Sequence, residues 1–119
     1  MPTIGYESAT LQTFGDYGHI IAWQTLSNGD NGAAVRMVGS PDRSIQVEGV
    51  FGVGGTVLIE GSNDGVNYRT LQDPGGNPLS LTSAQIVAIL PITAYTRPRV
   101  SAGDGTTALV VTLLVRRQT

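Results

Sequence analysis

Residues that break regular structure recur along this chain about every ten positions, so only strand-length pieces fit between them. Asn28-Gly29, Asn31-Gly32, Gly39-Ser40-Pro41-Asp42, Gly52-Val53-Gly54-Gly55, Asp64-Gly65, Pro74-Gly75-Gly76-Asn77-Pro78 and Gly103-Asp104-Gly105 each mark a turn or loop. Glycine and asparagine accept the positive φ of tight turns, and proline fixes φ while removing a donor. The runs between them are rich in β-branched and aromatic residues and number seven or eight. That is the pattern of an all-β fold, an antiparallel β-sandwich or jelly roll. A chain of 119 residues makes one such domain, and folding at this size hides roughly two thirds of the surface of the extended chain.

The clearest hairpin covers residues 56–71. Its two β-rich runs flank a turn cluster that includes Asp64-Gly65. A one-residue slip would turn a whole strand over, so joint burial of Ile59 and Tyr68 selects a loop with an even number of residues. A two-residue turn at Asp64-Gly65 then sets Tyr68 opposite Gly61 and Glu60 opposite Arg69. That exposed ion pair would contribute about 0.2–1 kcal/mol.

Residues 1–18 are polar and glycine-interrupted, with Ile4, Tyr6, Leu11, Phe14 and Tyr17 at no clear period. They are expected to form an extended N-terminal arm to a single sandwich domain over residues 19–119. Such an arm is a frayed terminus, an edge strand of its own domain, or a strap on a neighbouring chain. Residues 19–26 alternate His19, Ile21, Trp23 and Thr25 against Ile20, Ala22, Gln24 and Leu26, and residues 33–38 read as the return strand. Residues 44–53 show half-buried alternation through Ile45 and Val47. Residues 79–90 fit either a short helix or a strand, and their β-branched content with Pro91 favours the strand. Residues 95–101 put Tyr95, Arg97 and Arg99 on one face, while Pro98 points to a sheet edge or a bulge. Residues 106–115 are apolar on both faces, more than one shared core requires.

The chemistry on offer is sparse. Cysteine is absent and His19 is the single histidine, which excludes disulfides and cysteine-held metal centres. No Gly-x-Ser-x-Gly elbow accompanies His19, so it reads as a structural or surface residue. Asp64 and Asp104 sit in Asp-Gly turns that turn geometry explains, without the acidic spacing of a calcium loop. Gly52-Val53-Gly54-Gly55 lacks the following helix of a phosphate loop. No catalytic residue, cofactor or metal is therefore expected. Trp23, Tyr68 and Tyr95 are candidates for stacking on sugars or bases, but Trp23 alternates with Ile21 and Tyr68 shares a face with Ile59, which favours the core.

A net charge of −2 with 13% charged residues offers no broad field for nucleic acid or an anionic membrane. Residues 1–4 lack the basic start and apolar run of a signal peptide, and the longest apolar run falls short of the roughly 20 residues of a membrane helix. A soluble product made in the cytoplasm is expected. The second apolar face of residues 106–115 predicts a homo-oligomer, a dimer or trimer. Its interface is assigned to Ile4, Tyr6, Leu11 and Phe14 on the arm and to Tyr95, Arg97 and Arg99. All seven basic residues are arginine, which suits planar contacts with carboxylates across an interface.

Gly61-Ser62-Asn63-Asp64-Gly65-Val66-Asn67-Tyr68 with Leu71-Gln72-Asp73, Tyr95-Thr96-Arg97-Pro98-Arg99-Val100, and Gly103-Asp104-Gly105-Thr106-Thr107 resemble small virion proteins of tailed bacteriophages. The head decoration, or cement, proteins are the nearest group. The resemblance runs from Ser44 onward and consists of turn-and-strand signatures. It implies a β-sandwich on the outside of the assembled capsid, bridging major-capsid subunits against internal DNA pressure, with the virion as its location. A carbohydrate-binding sandwich on a virion or tail is the alternative it leaves.

Overall fold

The computed structural model describes residues 3–11, 18–36 and 42–116, with the backbone alone for 9–11. In chain order the strands are β1 (Thr3–Ile4), β2 (Tyr6–Leu11), β3 (Gly18–Leu26), β4 (Asn31–Gly32), β5 (Val35–Arg36), β6 (Asp42–Val50), β7 (Thr56–Ser62), β8 (Arg69–Thr70), β9 (Ser80–Leu81), β10 (Gln85–Ala88), β11 (Tyr95–Ala102) and β12 (Ala108–Arg116). Among the described residues there is no helix, and residues 79–90 supply β9 and β10. The protein is all-β. One sheet of seven strands runs β1-β4-β11-β7-β8, with β5 also on β11 and β9 also on β7. The other, of five, runs β10-β6-β12-β3-β2.

One buried apolar cluster draws on both sheets. Ile21, Trp23, Ile45, Val47, Leu109, Val111, Leu113 and Val115 come from the five-stranded sheet, and Val35, Val57, Ile59, Leu81 and Val100 from the seven-stranded one. Strand alternation dictates this, since every second residue of β6 and β12 faces the same way. Each such side chain contributes about 1.5–3 kcal/mol on burial. In β3 the alternation is interrupted. Leu109 pairs with Leu26 while Val111 pairs with Trp23, so β3 carries one more residue than β12 between those pairs. This bulge turns both Trp23 and Leu26 inward and leaves Gln24 and Thr25 exposed.

Residues 33–36 do not run as a return strand beside β3, and residues 37–38 of that expected strand lie outside the described residues. The chain leaves the five-stranded sheet after Leu26, and the two short strands β4 and β5 pair with β11 in the other sheet. Hydrogen bonds hold that crossing: the Asp30 carboxylate accepts from the Ser27 N–H (2.8 Å), the Val100 N–H donates to the Asp30 carbonyl (2.9 Å), and Trp23 Nε1 donates to the Ala33 carbonyl (2.9 Å).

Pro98 is likewise not at an edge, because β11 lies between β7 and the β4–β5 pieces. The reason it fits is parity. The Val100 N–H points toward Asp30, so the nitrogen of Pro98, two residues earlier, points to the same side. There the neighbouring strand is interrupted at residues 33–34, and no ladder hydrogen bond is lost. Gly32 lies against the Pro98 ring, where a Cβ would stand 2.6 Å from it.

Residues 3–11 do not extend away from the body as an arm. β1 pairs in parallel with β4, and β2 pairs antiparallel with β3, so this stretch adds one edge strand to each sheet of its own domain. Ile4 packs against the core, and Tyr6 sits edge-on to Trp23 with ring centroids 5.9 Å apart. Arg43, on the inward-facing phase of β6, is buried and donates from Nη1 to the Thr93 carbonyl and to Thr96 Oγ1, both at 3.2 Å, tying β6 to β11 and the loop before it. Burial lowers its pKa from the usual guanidinium value.

Candidate functional site

The polar focus of the molecule is Glu60. It occupies the outward phase of β7, between inward-facing Ile59 and Gly61, and its neighbour across the ladder is Arg97. Glu60 Oε1 accepts from Arg97 Nε and Oε2 accepts from Arg99 Nε, both at 3.1 Å. The Glu60 side chain is only 7% exposed, whereas the two arginine side chains are 25% and 31% exposed. The guanidiniums thus cover the acid and face outward themselves. The Tyr68 ring lies 3.8 Å from the Arg97 guanidinium carbon, a cation–π contact that fixes the plane of that group.

This arrangement corrects the hairpin register. Gly61 pairs with Arg69 and Glu60 with Thr70, leaving an odd number of residues in the loop. Tyr68 consequently falls on the Glu60 side, half-buried under Arg97, and its expected place beside Ile59 goes to Leu71, whose N–H donates to the Ile59 carbonyl at 2.8 Å. Arg69 is not the partner of Glu60.

The cause is the loop's own hydrogen bonding. Asp64 Oδ1 accepts from the N–H groups of Val66 and Asn67, each at 2.8 Å, and Ser62 Oγ accepts from the N–H of Gly65 at 2.9 Å. Gly65 takes φ of 76°, open to glycine without penalty. These bonds define a longer loop than a two-residue turn. The backbone N–H of Asn67, then its side-chain amide, the N–H of Val66 and the Ser62 hydroxyl hold the Asp64 carboxyl far below the usual carboxylate range.

The loop of residues 103–107 is built on the same plan. The Thr106 hydroxyl, followed by the N–H groups of Val53 and Thr106, brings the Asp104 carboxyl down to about 2. Both aspartates are therefore anchors for backbone. Among the described residues, no group of three or more His, Cys, Asp or Glu side chains is placed to hold a metal, and no helix is long and apolar enough to cross a membrane.

A second surface is the outward face of the five-stranded sheet. Ladder partners set Ala88, Ser44, Leu114 and Ile20 in one row and Ile86, Gln46, Thr112 and Ala22 in the next. Ile86 is 65% exposed and Leu114 39%. A shallow hollow of about 390 Å³ lies among Ile20, Ser44, Gln46, Ile86, Thr112 and Leu114. Among the described residues, Leu114 of the second phase of β12 and Ile86 beside it are thus open on this face, while Ala108, Val110 and Thr112 are half-buried.

Of the residues assigned to an interface, Tyr95, Arg97 and Arg99 share the outward face of the seven-stranded sheet, with Arg36 opposite Tyr95. Ile4 and Tyr6 lie away from them beside Trp23 and the core. The side chain of Leu11 and the whole of Phe14 lie outside the described residues. Trp23 is fully buried, so it presents no ring to a sugar. Glu60 was missed in the sequence as the centre of this group. The signal for it is a lone acid within residues 56–62 together with two arginines at i and i+2 in another strand of matching length.

No protein-family model matches the chain, and no curated protein matches it.

Proposed function

We propose that this is a structural protein of a tailed-phage particle, a head decoration protein that attaches to the outside of the assembled capsid and bridges major-capsid subunits. The observation that carries this reading is the outward face of the five-stranded sheet. The two sheets already share a core, yet Ile20, Ile86 and Leu114 remain on this outward surface among Ser44, Gln46 and Thr112, with Glu7, Glu48 and the Asp42–Arg116 pair at its margins. A surface of that kind suits burial against another polypeptide, either a second copy or a shell subunit.

Strand order supports a jelly-roll sandwich for the body. With β4–β5 and β8–β9 each counted as one, eight successive strands run from β3 to β12. The five-stranded sheet then contains the sixth, third, eighth and first as neighbours, and the seven-stranded sheet the second, seventh, fourth and fifth. Pairing first with eighth, second with seventh, third with sixth and fourth with fifth is how a double Greek key winds. The stretches that resemble decoration proteins, residues 61–68, 95–100 and 103–107, supply the Asp64 loop, β11 and the Asp104 loop.

Binding confined to the assembled lattice stabilises that lattice by mass action, and many identical contacts add avidity. Particles made without this protein are expected to release DNA at a lower temperature than complete particles, with added protein restoring the difference. Equal heat resistance of the two would count against the proposal.

A further inference from the structure

We infer that the outward face of the seven-stranded sheet is a docking surface for carboxylates on an acidic protein partner, gripped by Arg97, Arg99 and Arg36. The surface is argued from this chain's own charges; that the acidic partner is the phage shell rests on the function proposed above.

Burying Glu60 calls for one cation, and one guanidinium in fork geometry would satisfy both carboxylate oxygens. The chain supplies two guanidiniums instead, each bonded through Nε alone. Among the described residues the Nη groups of both make no hydrogen bond to the protein, and both side chains reach solvent. The second arginine is surplus to the burial of Glu60. Arg36, across the ladder from Tyr95 on the same face, is exposed, and its side chain makes no hydrogen bond or ion pair among the described residues. Three guanidiniums against one carboxylate leave this face with two unbalanced positive charges, on a chain whose net charge is −2.

The geometry favours carboxylates on a folded partner. Arg97 and Arg99 are two residues apart on one strand, about 6.5 Å. That offset suits two acids at i and i+2 of a strand or i and i+4 of a helix. Their planes are already set by Glu60 and, for Arg97, by Tyr68, so little side-chain freedom remains to be lost on docking. A nucleic acid would extend past this small patch onto a chain of negative net charge and be repelled there.

Two measurements test this. In the first, purified protein is cosedimented with assembled shells at rising salt. Arg36→Glu, which removes no side-chain hydrogen bond or ion pair among the described residues, is expected to weaken shell binding about tenfold at low salt, with the gap closing by about 0.5 M. In the second, poly-L-glutamate is titrated against the protein while the arginine Nε–Hε resonances are followed. Those of Arg97 and Arg99 are expected to shift, and to shift less in Arg36→Glu. Equal shell binding by Arg36→Glu and wild type at low salt overturns the inference while leaving the proposed function intact. Wild-type protein that ignores shells yet shows the poly-L-glutamate shifts removes the phage reading and supports the surface. Absence of those shifts, or a stronger response to heparin at equal charge, overturns the carboxylate assignment.

Discussion

Removing the two arginines beside Glu60, singly and together, gives the sharpest stability test of the polar cluster. In Arg99→Met, Glu60 keeps the Arg97 bond, so the cost is one charge-assisted hydrogen bond at a partly exposed site, about 1–1.5 kcal/mol after allowing for solvent screening. Arg97→Met removes an equivalent bond and also the contact with Tyr68, for about 1.5–2 kcal/mol. The double variant differs in kind. The Glu60 side chain, 7% exposed beneath the two guanidiniums in the wild type, then has no cation at all, and stranding a charge that the methionine side chains still cover costs about 3–5 kcal/mol. The loss should therefore exceed the sum of the single losses by about 0.5–1.5 kcal/mol. Urea unfolding of the four proteins at neutral pH, with a common m-value, measures that coupling. Additive losses would mean that Glu60 reaches water on its own and that the two arginines do not act as a unit. Glu60→Gln in the double variant should recover part of the loss.

Three further outcomes follow from the geometry. Gly32→Ala places a methyl 2.6 Å from the Pro98 ring and 2.7 Å from the Trp23 ring, so thermal unfolding should show a loss of about 1–3 kcal/mol. Arg43→Met leaves the buried Thr96 hydroxyl and the Thr93 carbonyl without their shared donor, and chemical denaturation should register about 1.5–3 kcal/mol. The Asp104 carboxyl, held at about 2 in the folded chain and near 4 when unfolded, gives stability that is complete above about pH 4 and is lost as pH falls toward about 2. Asp104→Ala should thus be less stable than wild type at about pH 6 and converge with it by about pH 2; a gap that stays constant with pH would contradict the role given to this carboxylate.

Much of the body was legible because strand alternation is a local property. Ile45 and Val47, and Leu109 through Val115 at every second position, fall in the core where a period of two puts them, and the Asp-Gly pairs mark loops. Register and partner were not legible, because both depend on bonds between residues distant in sequence or on loop detail. Asp64 and Ser62 lengthen one loop by a network no period records, which moves Tyr68 to the outward face and Leu71 to the core. Residues 33–38 read as the return of a hairpin after a turn at 27–32, yet the bonds between Val100 and residues 29–30 carry the described part of this stretch, β4 and β5, to the other sheet. Pro98 is central only because the next strand is interrupted where its N–H would have been needed. The candidate surface followed the same division. Tyr95, Arg97 and Arg99 sharing a face is a matter of period, whereas the placing of Glu60 beneath two guanidiniums requires the pairing of β7 with β11.

The central claim, that this fold serves an assembled shell, is tested most directly by counting copies of the chain in purified particles, by quantitative mass spectrometry against the major capsid protein. A decoration protein should be present at a fixed small-integer ratio to capsid subunits and be released intact when particles are stripped at high salt. Its absence from particles, or a handful of copies that leave with the tail, would contradict the claim.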